Sequence, residues 1–313
     1  MIRQLKRFFL VIIGLYLIAL GIDAIFSNLL LNSSILDGEF EIWNDINNKR
    51  LNDELIIYGS SRSFVHINPK ILDEELNVNS YNLGYNGQKA KLVRYRNDVI
   101  LKKGIKPKNV IINLDIDFLN KTGVFIPEQF LPLLFFDYEA YVFFRKDLKW
   151  RLIDVYVPLI RYRKLRYTDS NIYEDFCKSN FGFYSKRLRY KGFEGKHLPW
   201  SNNNYKIYAI DIDPLSKKDL ILMIQDLQRI NTNVILINSP EYIKQIKSQN
   251  NREEIIQLYK SIAQQFNIPF IDYSNDSINF QKELFYNSNH LNAEGADIFT
   301  KKLAKDIKPY IKR

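Results

Sequence analysis

A serine and a histidine near opposite ends of the chain have the surroundings expected of a nucleophile and its base. Ser61 follows an apolar run, residues 55–58, and a glycine, Gly59. His290 stands in the stretch Asn-Ser-Asn-His-Leu-Asn-Ala-Glu-Gly-Ala, and the chain contains only three histidines. A serine hydroxyl becomes a nucleophile when a base removes its proton, and histidine suits that transfer near neutral pH. The pair indicates nucleophilic catalysis, provided that the fold brings the two side chains together.

Each residue also has a structural interpretation. Ser61 could be a turn serine that caps the next helix through its hydroxyl. His290 could be a histidine with satisfied hydrogen bonds near a helix start. The other histidines, His66 and His197, lie in no such motif and are expected to be structural or surface residues.

The elements that would position the two motifs alternate between short buried strands and helices. Strands are predicted over residues 55–58, 80–83, 110–114, 233–238 and 269–273, and helices over 69–76, 88–103, 215–229, 253–266 and 293–311. This alternation favours a parallel sheet with helices on both faces, a flavodoxin-like three-layer α/β/α sandwich. Ligands of such sheets bind at the carboxyl ends of the strands, and the serine motif follows a predicted strand directly.

The chain of 313 residues is long enough for one elaborated α/β domain, and its lone cysteine, Cys177, excludes an intrachain disulfide. Four parts are predicted. Residues 1–34 form a membrane anchor with a cytoplasmic tip, 35–120 the first part of the α/β domain, 121–204 an insertion, and 205–313 the second part.

The N-terminal segment predicts a single-pass membrane protein. Residues 8–22 carry no charge, and the apolar stretch over 8–31 is long enough to span hydrocarbon as a helix. Three basic residues precede it, and no Lys or Arg follows until Lys49, which places the N-terminus in the cytoplasm and the main domain outside it, periplasmic or extracellular. A cleaved signal peptide and a buried helix of a soluble domain are the alternatives.

The insertion, residues 121–204, is rich in aromatic and basic residues. Residues 145–196 contain 14 Lys and Arg against six Asp and Glu, a net charge of +8 out of the chain's +10. Nucleic-acid binding is not expected, because the anchor places this surface outside the cytoplasm. A subdomain that contacts anionic membrane or glycan, and a small core with a solvated basic face, both remain open.

Four motifs in this order resemble the SGNH (GDSL-type) hydrolases. They are Gly-Ser-Ser-Arg at 59–62, Asn-Leu-Gly-Tyr-Asn-Gly at 82–87, Leu-Asp-Ile-Asp at 114–117 and Asn-Ser-Asn-His at 287–290. The resemblance is greatest to the membrane-anchored, cell-envelope branch, which includes D-alanine-transfer and alginate-acetylation proteins. It covers residues 52–120 and 205–310 but not the insertion.

The resemblance implies roles for single residues. Ser61 takes the position of the nucleophile and His290 that of the base. The oxyanion would be bound by the backbone N–H of Ser61, by Gly87, and by a residue at the position of Asp117. Gly87 could instead serve only a tight turn.

Two positions depart from the family pattern. Asp117 stands where an asparagine would donate to the oxyanion, and an ionised carboxylate cannot donate. Asp115 is a second candidate for the polar role of that loop. Asn287 stands where a carboxylate would orient the histidine, so Asn287 can hold the imidazole but cannot offset its positive charge. Asp272 is a conceivable substitute carboxylate.

Arg62 directly follows the nucleophile and is predicted to bind an anionic substrate group, with a surface salt bridge as the alternative. The expected function is acyl transfer, as an O-acyltransferase or esterase, on a cell-envelope polysaccharide or acyl ester. The resemblance implies a membrane-bound acyl-donating partner. The alternative is a catalytically impaired module that binds glycan or scaffolds an envelope complex.

No cofactor or metal is expected. The scattered histidines and the lone cysteine lack metal-ligand spacing, and no glycine-rich phosphate fingerprint appears, which also argues against a nucleotide- or flavin-binding domain.

Overall fold

The protein is described from a computed structural model, which covers residues 2–32, 39–48, 50–52, 54–87, 89–120, 142, 153, 156–160, 162, 189–201 and 205–312. The chain divides into two compact units. One comprises Met1–Arg50 and Phe125–Leu188, and the other comprises Leu51–Val124 and Arg189–Arg313. The structure thus groups the predicted anchor with most of the insertion, whereas residues 189–204 belong with the α/β fold.

The second unit is an α/β fold around a parallel sheet of five strands. The strands are β1 (Leu55–Tyr58), β2 (Ser80–Asn82), β3 (Asn109–Asn113), β4 (Asn233–Asn238) and β5 (Phe270–Asp272). Their order in the sheet is β2-β1-β3-β4-β5, and each neighbouring pair is parallel. This is the flavodoxin-like order, so the predicted fold class is confirmed.

Helices connect these strands. They are α3 (Ser61–His66), α4 (Pro69–Leu76), α5 (Ala90–Lys102), α6 (Pro214–Arg229), α7 (Ile243–Ile246), α8 (Arg252–Phe266) and α9 (Ala293–Ile307). Short 3-10 turns occupy Ser277–Phe280, Lys282–Leu284 and Lys308–Tyr310, and β6 (Phe285–Asn287) pairs antiparallel with β7 (His290–Leu291). The alternation of strands and helices places one polar loop after each strand, at the edge where ligands bind.

The central strands are buried throughout, which explains their uninterrupted apolar sequences. All four residues of β1 and all five of β3 are buried, and the register pairs Ile57 with Ile111. Ile57 belongs to a core cluster that also contains Ile235, Leu291 and Phe299. The last strand and helix of the chain belong to the same core as the first strand and contact α3, which fixes the position of the histidine motif relative to the serine motif.

Local sequence explains where several helices begin. Asn68 accepts a hydrogen bond from Lys70 N–H ahead of Pro69, and proline suits the first helical position because its missing N–H is not needed there. Asn292 accepts from Gly295 N–H at 2.9 Å and caps α9. The Asn-x-x-Gly spacing after the histidine thus serves the start of the closing helix.

The structure differs from the sequence prediction at two places. Glu39–Asn47 form a helix, α2, in a stretch for which the sequence predicts no helix, and its Ile42 and Trp43 are buried. The closing helix, predicted to reach Ile311, ends at Ile307. Pro309 accounts for the early end because it supplies no N–H to continue the hydrogen-bond ladder.

The first unit contains α1 (Ile2–Asn32) and α2. Among the described residues, one helical segment, Ile2–Leu31, is long and apolar enough to cross a membrane. Only 6% of its most apolar window is buried within the chain. Most of the predicted insertion, including residues 121–141 and 163–188, lies outside the described residues, so the expectation of a separate aromatic core there stays a prediction.

Candidate active site

Ser61 is the first residue of α3, directly beyond the carboxyl end of β1. Gly59 makes the turn: its φ is +150°, and a Cβ there would lie 2.0 Å from the Ser63 hydroxyl oxygen. Ser60 caps the helix by accepting Arg62 N–H at 3.3 Å. The capping role considered for Ser61 therefore belongs to Ser60, and the Ser61 hydroxyl is left for a different contact.

That contact is with the predicted base. Ser61 Oγ lies 2.8 Å from Nε2 of His290. His290 begins β7, the second strand of the short hairpin that precedes α9. The structure thus brings together a hydroxyl from the first βα corner and an imidazole from the last, at hydrogen-bond distance.

Asn287 determines which nitrogen of His290 carries the proton. Its Oδ1 accepts the backbone N–H groups of Asn289 at 2.9 Å and His290 at 3.0 Å, so the amide oxygen faces the imidazole. The same oxygen lies 2.9 Å from Nδ1 of His290, which must therefore be the donor. Nε2 is then unprotonated and accepts the hydroxyl proton of Ser61.

The environment keeps this imidazole neutral. Burial lowers the pKa of His290, and the positive charge of Arg62 lowers it further, to about 4. Glu241 and Asp117 act in the opposite direction without compensating. His290 is therefore available as a base at neutral pH, but it is a weak one, and its protonated form is poorly stabilised.

Two rings flank the imidazole of His290. Tyr286 stacks on it, with ring centroids 5.4 Å apart and an interplanar angle of 9°. His66 meets it edge to face at 6.2 Å. His66 is buried, its Nε2 accepts Leu291 N–H at 3.0 Å, and its Nδ1 donates to Ser239 Oγ at 3.1 Å. His66 therefore holds the backbone next to His290, a structural role.

The oxyanion donors predicted from the backbone lie around one small pocket. Ser61 and Gly87 both line it, and its volume is about 110 Å³. Ser61 is the first residue of its helix, where the N–H has no partner within the helix. Gly87 has a φ of +66°, a conformation that other residues rarely adopt. A pocket of this size suits a small acyl group.

Asp117 lines the same pocket but is paired with a cation that the sequence did not single out. Lys89 Nζ lies 2.7 Å from Asp117 Oδ2 and 2.8 Å from the Asp117 carbonyl oxygen. Asp117 is thus an acceptor, as expected of a carboxylate, and does not supply the third oxyanion donor. Lys89 has a third N–H, which makes no further hydrogen bond among the described residues, and its side chain also lines the pocket.

Arg62 also lines the pocket, but its nitrogens are engaged by protein groups rather than left open for the predicted anionic substrate group. The residue is 4% exposed, and its Nε and Nη1 lie 3.2 Å from Asp115 Oδ1 and 3.1 Å from Glu241 Oε2. Nη2 donates to Asn238 Oδ1 at 3.0 Å and to the Ser239 carbonyl. A guanidinium with protein acceptors on all three nitrogens instead offsets buried carboxylates beneath the site.

Those carboxylates titrate differently. Burial raises the pKa of Asp115 to about 7, against the opposing effect of Arg62, and Ser60 Oγ donates to its Oδ2. Burial also opposes ionisation of Glu241, but Arg62 and Arg252 outweigh it and lower the pKa of Glu241 to about 2. Asp115, the second candidate for the oxyanion loop, lines the pocket and is engaged by Arg62 and Ser60.

Asp272 is not the substitute carboxylate that was considered for His290. Its Oδ1 accepts Asn238 Nδ2 at 2.9 Å and the Ser274 N–H at 3.0 Å at the end of β5. Within the described part of the chain, Asn287 is the side chain that hydrogen-bonds Nδ1 of His290. Also among the described residues, no group of three or more His, Cys, Asp or Glu side chains is arranged to hold a metal ion.

No protein-family model and no curated protein matches the sequence. Solved structures do resemble it. A psychrotrophic esterase, EstA, from Pseudoalteromonas sp. is 12% identical, with 82% of this chain and 98% of that chain covered and a TM-score of 0.44. An acetyl xylan esterase, AlAXEase, is 14% identical, with 81% and 99% covered and a TM-score of 0.41.

A GDSL-like lipase from Bacteroides thetaiotaomicron VPI-5482 is 12% identical, with 80% of this chain and 87% of that chain covered and a TM-score of 0.37. Identities and TM-scores this low do not carry a function from one protein to another, so the geometry of the site decides what the residues can do.

Proposed function

We propose that the protein is an SGNH-type acyl-transfer enzyme that uses Ser61 as nucleophile and His290 as base. One observation carries the proposal: the Ser61 hydroxyl, the His290 imidazole and the Asn287 amide form a continuous relay with distances of 2.8 and 2.9 Å. The tautomer that this relay requires is the one in which Nε2 can take a proton.

The first half-reaction forms an acyl-enzyme. The Ser61 Oγ attacks the carbonyl carbon of an ester while its proton passes to Nε2 of His290. The tetrahedral intermediate collapses, the bond between carbon and the leaving oxygen breaks, and the imidazolium returns the proton to that oxygen. An alcohol leaves, and the acyl group stays on Ser61.

The second half-reaction transfers the acyl group to an acceptor. His290 removes a proton from water or from a sugar hydroxyl, whose oxygen attacks the acyl carbon. The Ser61 oxygen is then the leaving group and regains its proton from His290. Water as the acceptor makes the protein an esterase, and a sugar hydroxyl makes it an O-acyltransferase.

The oxyanion is stabilised by the N–H groups of Ser61 and Gly87 and by the charge of Lys89. A third donor is needed because Asp117 is an acceptor. Two N–H groups of Lys89 are held by Asp117, and its third N–H is free, among the described residues, to donate to the oxyanion. Lys89 thus takes over the stabilising role that an asparagine at position 117 would have.

The asparagine at position 287 lowers the catalytic rate less here than the exchange of aspartate for asparagine does in a serine protease. There, aspartate to asparagine lowers kcat by about 10⁴-fold because the wrong tautomer results. In this chain two backbone N–H groups hold the Asn287 oxygen toward Nδ1, so the tautomer is correct. What is missing is the negative charge beside the imidazolium, and a slow enzyme is the expected outcome.

The proposed setting is the outer face of a membrane, with the N-terminus in the cytoplasm and the α/β unit outside. We propose a cell-envelope polysaccharide or its acyl ester as substrate, in keeping with the small pocket and the apolar helix α1. The proposed partner is a membrane-bound protein that donates the acyl group. Nucleic acid is not proposed as a partner.

The rival function is a catalytically impaired module that binds glycan. The absence of a carboxylate on Nδ1, among the described residues, is the observation that favours it. The two functions differ in their reactivity. The enzyme forms a covalent intermediate on Ser61 and cleaves esters, and the glycan-binding module does neither.

The test uses the full chain in detergent micelles with p-nitrophenyl acetate and a fluorophosphonate probe. The proposal predicts covalent labelling and ester cleavage that Ser61→Ala abolishes. Ser261→Ala, on the exposed side of α8, is a matched control that should leave both unchanged. Labelling or turnover that survives Ser61→Ala would rule out this nucleophile, and absence of both in the wild type would favour the glycan-binding module.

A further inference from the structure

The apolar helix α1 presents two different surfaces along its length. None of residues 2–22 is buried, and 21 residues at 1.5 Å each span about 31 Å, close to the thickness of membrane hydrocarbon. Beyond this stretch, Asp23, Ser27 and Leu30 are fully buried. Their spacing places them on one face of the helix. The outer end of α1 therefore packs against protein on one face.

Residues 156–160 and Tyr162, which we call the docking segment, cover that face. Leu159 N–H donates to Asp23 Oδ2 at 2.9 Å, and Ser27 Oγ donates to Asp23 Oδ1 at 3.1 Å. Ser27 Oγ also hydrogen-bonds the Tyr162 hydroxyl, and the Tyr162 ring meets Phe26 edge to face at 4.8 Å. A carboxylate within an apolar helix is thus used to hold another part of the chain.

The docking segment extends along α1 into the exposed stretch. The Tyr16 hydroxyl donates to the carbonyl oxygen of Tyr156 at 2.7 Å. Tyr16 lies seven residues before Asp23, or about 10 Å along the helix axis. The segment therefore runs beside the helix from the level of Tyr16 to that of Asp23. If residues 2–22 lie in hydrocarbon, Tyr156 lies in it too.

Several backbone groups of the docking segment are hydrogen-bonded to protein, as hydrocarbon demands. Val157 N–H bonds the Ile153 carbonyl at 3.1 Å, and Tyr162 N–H bonds the Leu159 carbonyl at 3.0 Å. The Tyr156 carbonyl and the Leu159 N–H are satisfied by side chains of α1. Non-helical backbone is tolerated at membrane depth only when protein groups satisfy it in this way.

The outward surface of the docking segment is apolar. Tyr156 is 58% exposed, Val157 36% and Leu159 38%. These side chains continue the exposed apolar surface of α1, where Leu17 and Ile18 are also exposed. One continuous apolar surface made from two separate parts of the chain fits acyl chains better than it fits water.

We propose that the docking segment is a second membrane-contacting element, held on the anchor by Asp23 and Tyr16, with Tyr156, Val157 and Leu159 against lipid acyl chains of the outer leaflet. The chain is then attached to the bilayer at two points in sequence. This inference rests on the proposed membrane setting and is independent of the proposed catalytic function.

The experiment uses the full chain with Cys177→Ser and a single new cysteine carrying an environment-sensitive fluorophore, in phosphatidylcholine–phosphatidylglycerol vesicles. Nitroxide-labelled acyl chains are the quencher. The extent of quenching of a label at Val157→Cys should be within about twofold of that of a label at Ile18→Cys on the anchor. Leu215→Cys, an exposed apolar position on α6, is the chemical match for comparison. Quenching at Val157 no greater than at Leu215 would overturn the proposal.

A second variant tests the attachment itself. Asp23→Leu removes the acceptor of the Leu159 N–H but leaves an apolar helix that still spans the bilayer. Lipid quenching at Val157 should then fall by at least about half while quenching at Ile18 is retained. Asp23→Asn keeps an acceptor oxygen and should retain both. Equal quenching at Val157 in wild type and Asp23→Leu would show that Asp23 does not hold the segment.

Discussion

Asn287 Oδ1 accepts both the backbone N–H of His290, at 3.0 Å, and its ring Nδ1–H, at 2.9 Å. One amide oxygen therefore sets the position of the residue and the tautomer of its ring. This arrangement separates two contributions that an aspartate normally makes together, the orientation of the histidine and the stabilisation of its charge. The protein retains the first and lacks the second.

Asn287→Asp should therefore accelerate ester cleavage. The new carboxylate can accept the same three hydrogen bonds and adds the missing negative charge beside the imidazolium. We expect kcat to rise by about 10- to 100-fold, part of the 10⁴-fold effect known for serine proteases because the tautomer is already correct. The measurement is the rate of p-nitrophenyl acetate hydrolysis at pH 7 under saturating substrate.

A charge control belongs with this variant. Asn231→Asp adds the same negative charge at a loop before β4, away from the pocket, and should leave the rate unchanged. Equal rates in Asn287→Asp and wild type would mean that charge on Nδ1 does not limit the reaction.

The low pKa of His290 predicts an unusual acid limit for activity. Only the neutral imidazole can accept the Ser61 proton, so kcat/KM should stay constant as pH falls through 6.5, the ordinary value, and decline as pH falls through about 4. In Asn287→Asp the carboxylate favours the imidazolium, so the decline should begin at higher pH. The profile is measured between pH 3.5 and 8 with an ester whose own hydrolysis is subtracted. A wild-type midpoint near 6.5 would contradict the electrostatics described for this site.

The position of Ser61 was predictable because short apolar runs separated by helical periodicity indicate a parallel sheet, and such strands end at one edge where ligands bind. The pairing of Ser61 with His290 was predicted from the family resemblance. Asn287 could be assigned to the histidine from the family resemblance, which places the orienting residue three positions before it. These features depend on local sequence and on topology.

Arg62 and Lys89 were not predictable in the same way. The burial of Arg62 depends on Asp115 and Glu241, which come from other segments, and no local pattern reveals a pairing between distant charges. Lys89 precedes a helix, a position that usually indicates a solvated side chain, and its role follows from its contact with Asp117. The helix α2 was missed because its apolar positions are few and its burial comes from tertiary packing.

The buried position of Arg62 leads to a stability prediction that a substrate-binding role would not make. Arg62→Met leaves Asp115 and Glu241 without their shared cation, and breaking a buried ion pair in this way costs about 3–5 kcal/mol. The urea concentration at half unfolding should fall accordingly, by tryptophan fluorescence. Arg229→Met removes an exposed ion pair with Asp226, which typically contributes about 0–1 kcal/mol, and is the matched control. An Arg62→Met protein of normal stability and raised KM would restore the substrate-binding interpretation.

The pairing of Lys89 with Asp117 allows a test in which one substitution lowers the catalytic rate and a second restores part of it. Lys89→Met removes the ammonium from the pocket, and loss of one oxyanion donor lowers kcat by about 10²- to 10³-fold with little change in KM. Lys106→Met, at an exposed loop position, removes the same charge elsewhere and should have no effect.

The double variant Lys89→Met/Asp117→Asn supplies a side-chain amide that can donate where the carboxylate cannot. It should regain at least about tenfold of the lost rate, because an amide donor at position 117 replaces the lost ammonium. A double variant no faster than Lys89→Met would mean that this corner of the pocket does not face the oxyanion.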